Sequence, residues 1–183
     1  MGAITRGFAN LITANGSLTG WSSNSGNLLP ADAAKGIYLG VNSATAANLM
    51  DDFEEGTFDC SLKCGGSPTT PTQTQQGYYV KCGKLVMVHG QTTVAGSSSG
   101  GSNLRIDMPF ATVGSYRGGL AIGLNQPLSI TNHSGAYLSL VTELGSVAAY
   151  LLSHAQGGNH THLTFNDVGT GIFSFGGTYY TSA

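Results

Sequence analysis

In residues 77–89, Gly-Tyr-Tyr-Val-Lys-Cys-Gly-Lys-Leu-Val-Met-Val-His, aromatic and β-branched side chains run up to and away from a Gly-Lys pair. Such a pattern has one low-energy backbone solution. Glycine in the first position of a two-residue connection is what a type II′ turn requires, so the segment is predicted to be a β-hairpin. Its register places Cys82 opposite Leu85, Val80 opposite Met87 and Tyr78 opposite His89. The same grammar continues downstream. Leu104, Ile106 and Met108 alternate with Arg105 and Asp107, which predicts a strand with its apolar side to a core, closed by Pro109. Further strands are predicted over 57–63, 119–124, 136–142, 147–153, 160–165 and 172–181. Glu143-Leu144-Gly145-Ser146 and Gln156-Gly157-Gly158-Asn159 read as hairpin turns, and 65–76, 96–102 and 125–135 as loops. About nine short strands with Gly-rich turns describe an all-β fold, an antiparallel β-sandwich or jelly roll, with no helix longer than a short neck.

Residues 1–50 lack this periodicity. Phe8, Leu11, Ile12 and Trp21 are apolar anchors separated by Gly, Asn, Ser and Thr. They cannot build a core but can lie along another surface, which describes an extended attachment arm. A short strand is expected at 37–41. A short helical neck is expected at 43–50, N-capped by Ser43 or Thr45. Five of the nine acidic residues (Asp51, Asp52, Glu54, Glu55, Asp59) then follow within a few positions. Carboxylates at the C-terminal end of a helix oppose its dipole, so the neck should stop there. The expected organisation is 1–50 as arm and neck and 51–183 as the β-domain. At the junction, Met50, Phe53 and Phe58 should bury, while Asp51, Asp52, Glu54 and Glu55 cap, face water or pair with a neighbouring subunit through Lys35, Lys84 or Arg105.

Several function classes are disfavoured. Charged residues are only 9% of the chain, and the seven Lys and Arg are scattered singly, so no basic patch is available for nucleic acid. No apolar run of about 18 residues and no leader-like h-region occurs, so neither membrane insertion nor signal-driven export is expected. Cys60, Cys64 and Cys82 are too few and too irregular for a disulfide scaffold or a zinc site and read as small apolar residues, with a Cys60–Cys82 cross-strand contact left open. Asp32, Asp107, Glu143 and Asp167 are isolated in sequence, and no Gly-x-Ser-x-Gly elbow is present, so no enzyme activity and no catalytic residues are expected. The acidic cluster lacks the alternating ligand pattern of a calcium loop. His160 and His162, at i and i+2 of one strand, share a face and in a trimer can surround an axial metal. With no Asp, Glu or Cys beside them, a solvated strand face is the simpler reading, and no metal or cofactor is expected. Tyr116, Tyr137, Tyr150, Tyr179 and Tyr180 are sugar-stacking candidates if exposed and core or interface residues otherwise.

The junction residues also carry a resemblance. Leu49-Met50-Asp51-Asp52-Phe53-Glu54-Glu55-Gly56-Thr57-Phe58 resembles the Leu-Asp-Asp-Tyr-Glu-Glu-Gly-Thr-Trp type of signature in structural and tail-fibre proteins of bacteriophages, especially marine and environmental ones. Three further segments are similar to that family's in the same order. Residues 77–86 resemble its Gly-Tyr-Tyr-x-Lys-x-Gly hairpin, 103–110 its strand ending in Leu-Pro-Phe, and 177–181 its closing strand. The opening Met1-Gly2-Ala3-Ile4-Thr5-Arg6-Gly7-Phe8 is similar as well. Asp59-Cys60 departs from the Thr-Pro that often follows the signature. The resemblance implies a non-enzymatic virion component, assembled in the host cytoplasm and exposed on the particle surface. It implies a homotrimeric fibre, spike or decoration protein whose arm anchors to capsid or tail proteins. The alternative it leaves open is a tail-associated receptor-binding protein that recognises host surface glycans.

Overall fold

All the regular structure among the described residues is extended apart from one 3-10 turn at Phe165–Asp167, and no α-helix occurs there. The computed structural model describes residues 21–24, 27–30, 37–38, 49–50, 52–64, 67–68, 75–94, 102–126, 130, 137–154 and 159–182. The chain divides into two compact units, Met1–Asp52 and Phe53–Ala183. In the first unit, β1 (Trp21–Asn24) and β2 (Asn27–Pro30) form an antiparallel pair, as do β3 (Ile37–Tyr38) and β4 (Leu49–Met50). Leu49 and Met50 therefore do not end a helical neck. Their backbone groups are used in pairing with Tyr38 and Ile37. Phe8, Leu11, Ile12, Lys35, residues 43–48 and Asp51 lie outside the described residues.

The second unit contains β5 (Phe53–Asp59), β6 (Lys63–Cys64), β7 (Ser67–Pro68), β8 (Gln76–Cys82), β9 (Leu85–Val94), β10 (Leu104–Asp107), β11 (Gly119–Gln126), β12 (Tyr137–Thr142), β13 (Ala148–His154), β14 (His160–His162) and β15 (Gly171–Tyr180). They form one antiparallel sheet in the order β5-β8-β9-β15-β11-β12-β13-β10-β6-β7, with β14 attached to β13. The hairpin around Gly83 has the expected register, with Cys82, Val80 and Tyr78 across from Leu85, Met87 and His89. Gly83 itself has φ +56°, in the left-handed region that a glycine-first turn uses.

Strand β11 turns this long sheet into a sandwich-like fold. Gly119 and Leu120 pair with β12, whereas Ala121 to Gln126 pair with β15, with a register shift between Leu124 and Gln126. A strand that changes partners in this way makes a corner and lets the sheet curl over itself. One core then fills the inside. Val86, Val88, Phe173 and Phe175 from one half join Leu104, Ile106, Leu140, Leu151 and Leu163 from the other in a single buried cluster. Met108 is also buried, so the alternation read over 104–108 faces inward as expected. Cys60 belongs to this core, and burial pushes its thiol up to about 11. Cys82 instead lies across from Phe53 and Leu85 on the outside, so no Cys60–Cys82 contact forms.

Close packing of aromatics over glycines locks the inner layer. Phe58 lies over Gly77 and meets Phe175 edge-on, with ring centroids 6.5 Å apart. Phe175 lies over Gly90, where an added Cβ would stand 2.5 Å from its ring. The substitution Gly90→Ala should therefore destabilise the domain by about 1–3 kcal/mol through overpacking. Gly123→Ala, where a Cβ meets nothing within 4 Å, should change stability by less than about 1 kcal/mol. Chemical denaturation of both variants checks the contrast.

Candidate functional site

The acidic signature is itself a strand. Phe53–Asp59 is β5, the terminal strand of the sheet order, paired with β8 from Phe53↔Cys82 to Asp59↔Gln76. Its start precedes the expected strand start at Thr57 because the backbone ladder with β8 continues back through Gly56, Glu55 and Glu54 to Phe53. Glu54 accepts a hydrogen bond of 2.5 Å from the Tyr79 hydroxyl, which raises the pKa of that phenol. Tyr79 meets Phe110 edge-on, and the Lys81 ammonium stands 5.5 Å from the same ring. Glu54 is thus held within its own chain. Arg105, one of the expected partners for the cluster, instead stands 3.1 Å from Asp107 on its own strand, and Lys63 reaches the same carboxylate at 2.9 Å.

Two of the three apolar junction residues do not bury. Phe53 is 61% exposed and Met50 is also exposed, whereas Phe58 is half-buried against Phe175. The reason for Phe53 is strand alternation: it shares a side with Glu55 and Thr57, away from the core. That side forms a continuous outer face. One cross-strand row runs Phe53, Cys82, Leu85, Tyr180; the next runs Glu55, Val80, Met87, Thr178; the third runs Thr57, Tyr78, His89, Gly176. Each row crosses four strands, about 14 Å at the usual strand spacing. Tyr78 is 58% and Met87 53% exposed, so the centre of the face is apolar and in water.

At the margin of this face the sheet opens into a cleft of about 640 Å³ lined by Lys84, Tyr116, Arg117, Gly119, Thr178 and Tyr180 among others. Tyr116 and Tyr180 are 73% and 60% exposed. The segment carrying Tyr116 and Arg117 is pinned at both ends. Val113 N–H donates to Tyr180 O at 2.8 Å, Gly118 N–H donates to Thr142 Oγ1 at 2.7 Å, and the Thr112 hydroxyl donates to Glu143 O. Arg117 Nη2 donates to Glu143 Oε1 at 2.8 Å. Lys84, at the β8–β9 turn, has no side-chain partner among the described residues. Tyr179 points the other way into the core. Its hydroxyl donates to Phe110 O at 3.1 Å, and burial pushes its pKa up to about 12.

A third polar group gathers around β14. His160 lies across from His154 and next to His162, with ring centroids 6.1 Å apart in each case. His154 Nε2 is 2.6 Å from the Ser139 hydroxyl, and Tyr150 meets His162 edge-on at 4.9 Å. Leu163 and Phe165 are buried on the core side, but Thr161 is exposed because β14 is a side branch of the sheet and only its continuation reaches the core. Among the described residues no His, Cys, Asp and Glu side chains converge as a metal-holding group. The contribution of His154 was missed in sequence, although a turn centred on Gly157 would have set it across from His160. Tyr137 is exposed elsewhere on β12, and Tyr150 faces His162. The loops at 65–76, 96–102 and 125–135 lie mostly outside the described residues.

The described carboxylates other than Asp52 and those of β5 are engaged separately: Asp107 with Lys63 and Arg105, Glu143 with Arg117, and Asp167 with Thr164. No helix among the described residues is long and apolar enough to cross a membrane. No protein-family model matches the chain, and no curated protein matches its sequence.

His162 has a lowered pKa, first from desolvation and then from His160, and its buried Nδ1 has no hydrogen-bond partner. The folded state therefore binds this proton less readily than the unfolded chain. Stability from the neutral ring is complete above the unfolded histidine pKa of about 6.5 and declines as pH falls below it toward the lowered folded value. The thermal midpoint should drop between pH 7.5 and 5, and His162→Gln should flatten that slope; calorimetry across the range reads both.

Proposed function

We propose that this chain is a non-enzymatic structural protein of a bacteriophage virion, a homotrimeric surface fibre, spike or decoration protein. Residues 1–50 anchor it to capsid or tail proteins, and the β-domain faces outward from the particle. The observation that carries this reading is the outer face of β5, β8 and β9. A lone chain leaves Phe53, Tyr78, Val80, Leu85 and Met87 on one contiguous surface. Contiguous apolar surface of this kind marks a protein interaction site, and in water its burial drives association. The occupant proposed here is the same face of neighbouring copies. The ordered resemblance of 49–58, 77–86, 103–110 and 177–181 to phage structural proteins supports the virion setting.

Light scattering of the full chain should give a trimer. Phe53→Ala should leave the unfolding free energy of the isolated domain within about 0.5 kcal/mol, as for an exposed residue. It should nonetheless weaken self-association, and Met87→Asp should abolish it. Phe58→Ala should instead cost about 2–3 kcal/mol of stability by emptying its place against Phe175. A monodisperse monomer at high micromolar concentration would overturn the trimer.

A second reading, recognition of host surface glycans, is favoured by one feature. The Tyr116–Tyr180 cleft presents two exposed aromatic rings on a rigid frame at the margin of the apolar face, where Tyr180 and Thr178 end two of its rows.

A further inference from the structure

We infer that the cleft bordered by Lys84, Tyr116, Arg117 and Tyr180 binds a saccharide through a carboxylate-bearing unit, a uronic or sialic acid. This rests on the glycan reading and not on virion assembly. Three features of the cleft support that ligand, and its charge is the one that favours a carboxylate over a neutral sugar.

The walls are aromatic and accessible. Tyr116 and Tyr180 offer planar, rigid surfaces that lose little entropy on contact, and a phenol beside each ring face can hydrogen-bond a sugar hydroxyl. Two of the lining residues, Gly118 and Gly119, carry no side chain. At Gly119 an added Cβ would meet nothing within 4 Å, so a sugar ring can approach the backbone, while Gly118 keeps clear of the Tyr179 Cβ. Thr178, on the outer side of β15, adds a hydroxyl to the lining.

The charge is one-sided. Lys84 carries an ammonium with no partner among the described residues, and the turn that holds it is fixed by the Thr181 N–H bond to Lys84 O at 2.9 Å. Arg117 uses Nη2 on Glu143, and a guanidinium has five N–H donors, so its fork is oriented by one carboxylate with donors left for a second. With Glu143 balancing Arg117, Lys84 gives the cleft a net positive charge. Its aromatic walls and donor groups fit a sugar ring, and its unbalanced cation fits the carboxylate on that ring.

The frame is rigid without ligand. Backbone hydrogen bonds from Val113 to Tyr180 and between Gly118 and Thr142 fix the segment between them, so binding need not order it. In chain order Lys84, the Tyr116-Arg117 pair and Tyr180 are far apart, and the pairing of β15 with β9 brings Tyr180 beside the Lys84 turn.

The test titrates the full chain with glucuronic-acid-terminated and sialic-acid-terminated oligosaccharides and with their methyl esters, which keep the ring and remove the charge. The acids should bind more tightly than the esters, and added salt should weaken only the acids. Lys84→Gln should lower acid affinity about tenfold, as for loss of one charge-assisted hydrogen bond, and leave the esters unchanged. Glu143→Gln should raise acid affinity by releasing Arg117, a direction that a merely structural Glu143 would not produce. Tyr180→Ala should weaken both forms, with circular dichroism checking that each variant folds. Equal binding of acids and esters would overturn the carboxylate assignment and leave the glycan reading standing. Absence of binding to acids, esters and neutral oligosaccharides would overturn both.

Discussion

The pairing of β15 with β9 is the constraint from which the rest of the domain follows. It runs without interruption from Gly171↔Val94 to Tyr180↔Leu85 and joins strands far apart in the chain. Closing such a loop costs entropy before any contact rewards it, so the pairing needs a large local return. That return comes from the inner face, where Phe173, Phe175 and Tyr179 meet Val86, Val88 and the space left by Gly90. With β15 in place, β11 has an edge to join, and its change of partner from β12 to β15 wraps the remaining strands over the same core.

The same pairing decides what the outside looks like. Because β5, β8, β9 and β15 lie in adjacent order, every second residue of each strand falls on one surface, and several of these residues are apolar. The charged residues of β5 sit at the end of the sheet order, where a free strand edge would otherwise template pairing with another chain. Charge at the edge opposes strand addition, while the apolar surface lies on the face through which association is proposed. That division gives the acidic signature a physical role that needs neither catalysis nor calcium.

The cleft and the histidine group show how much of a site can be non-local. Tyr116 and Arg117 are positioned by bonds to the β12–β13 turn and to the end of β15, and Lys84 by the β8–β9 turn. None of these residues is adjacent to another in a way that a motif would register, apart from the Tyr-Arg pair itself. His154 joins His160 and His162 only through the antiparallel pairing of β13 with β14.

What the sequence determined by itself was local. Period-two alternation and turn chemistry set the all-β class, the hairpin register around Gly83 and the inward side of Leu104, Ile106 and Met108, because each depends on residues a few positions apart. Alternation also divides a strand such as 53–59 into two faces, but it does not say which face meets a core. For that segment the charge density pointed to a junction, and the tertiary structure made it the terminal strand of the sheet order, with Phe58 half-buried against the core and Phe53 in water. The neighbours of β5, the outer apolar rows and the walls of the cleft were decided by strand order alone. Strand order is set by the packing of residues that are distant in the chain, such as Phe175 over Gly90, and local sequence carries no measure of it.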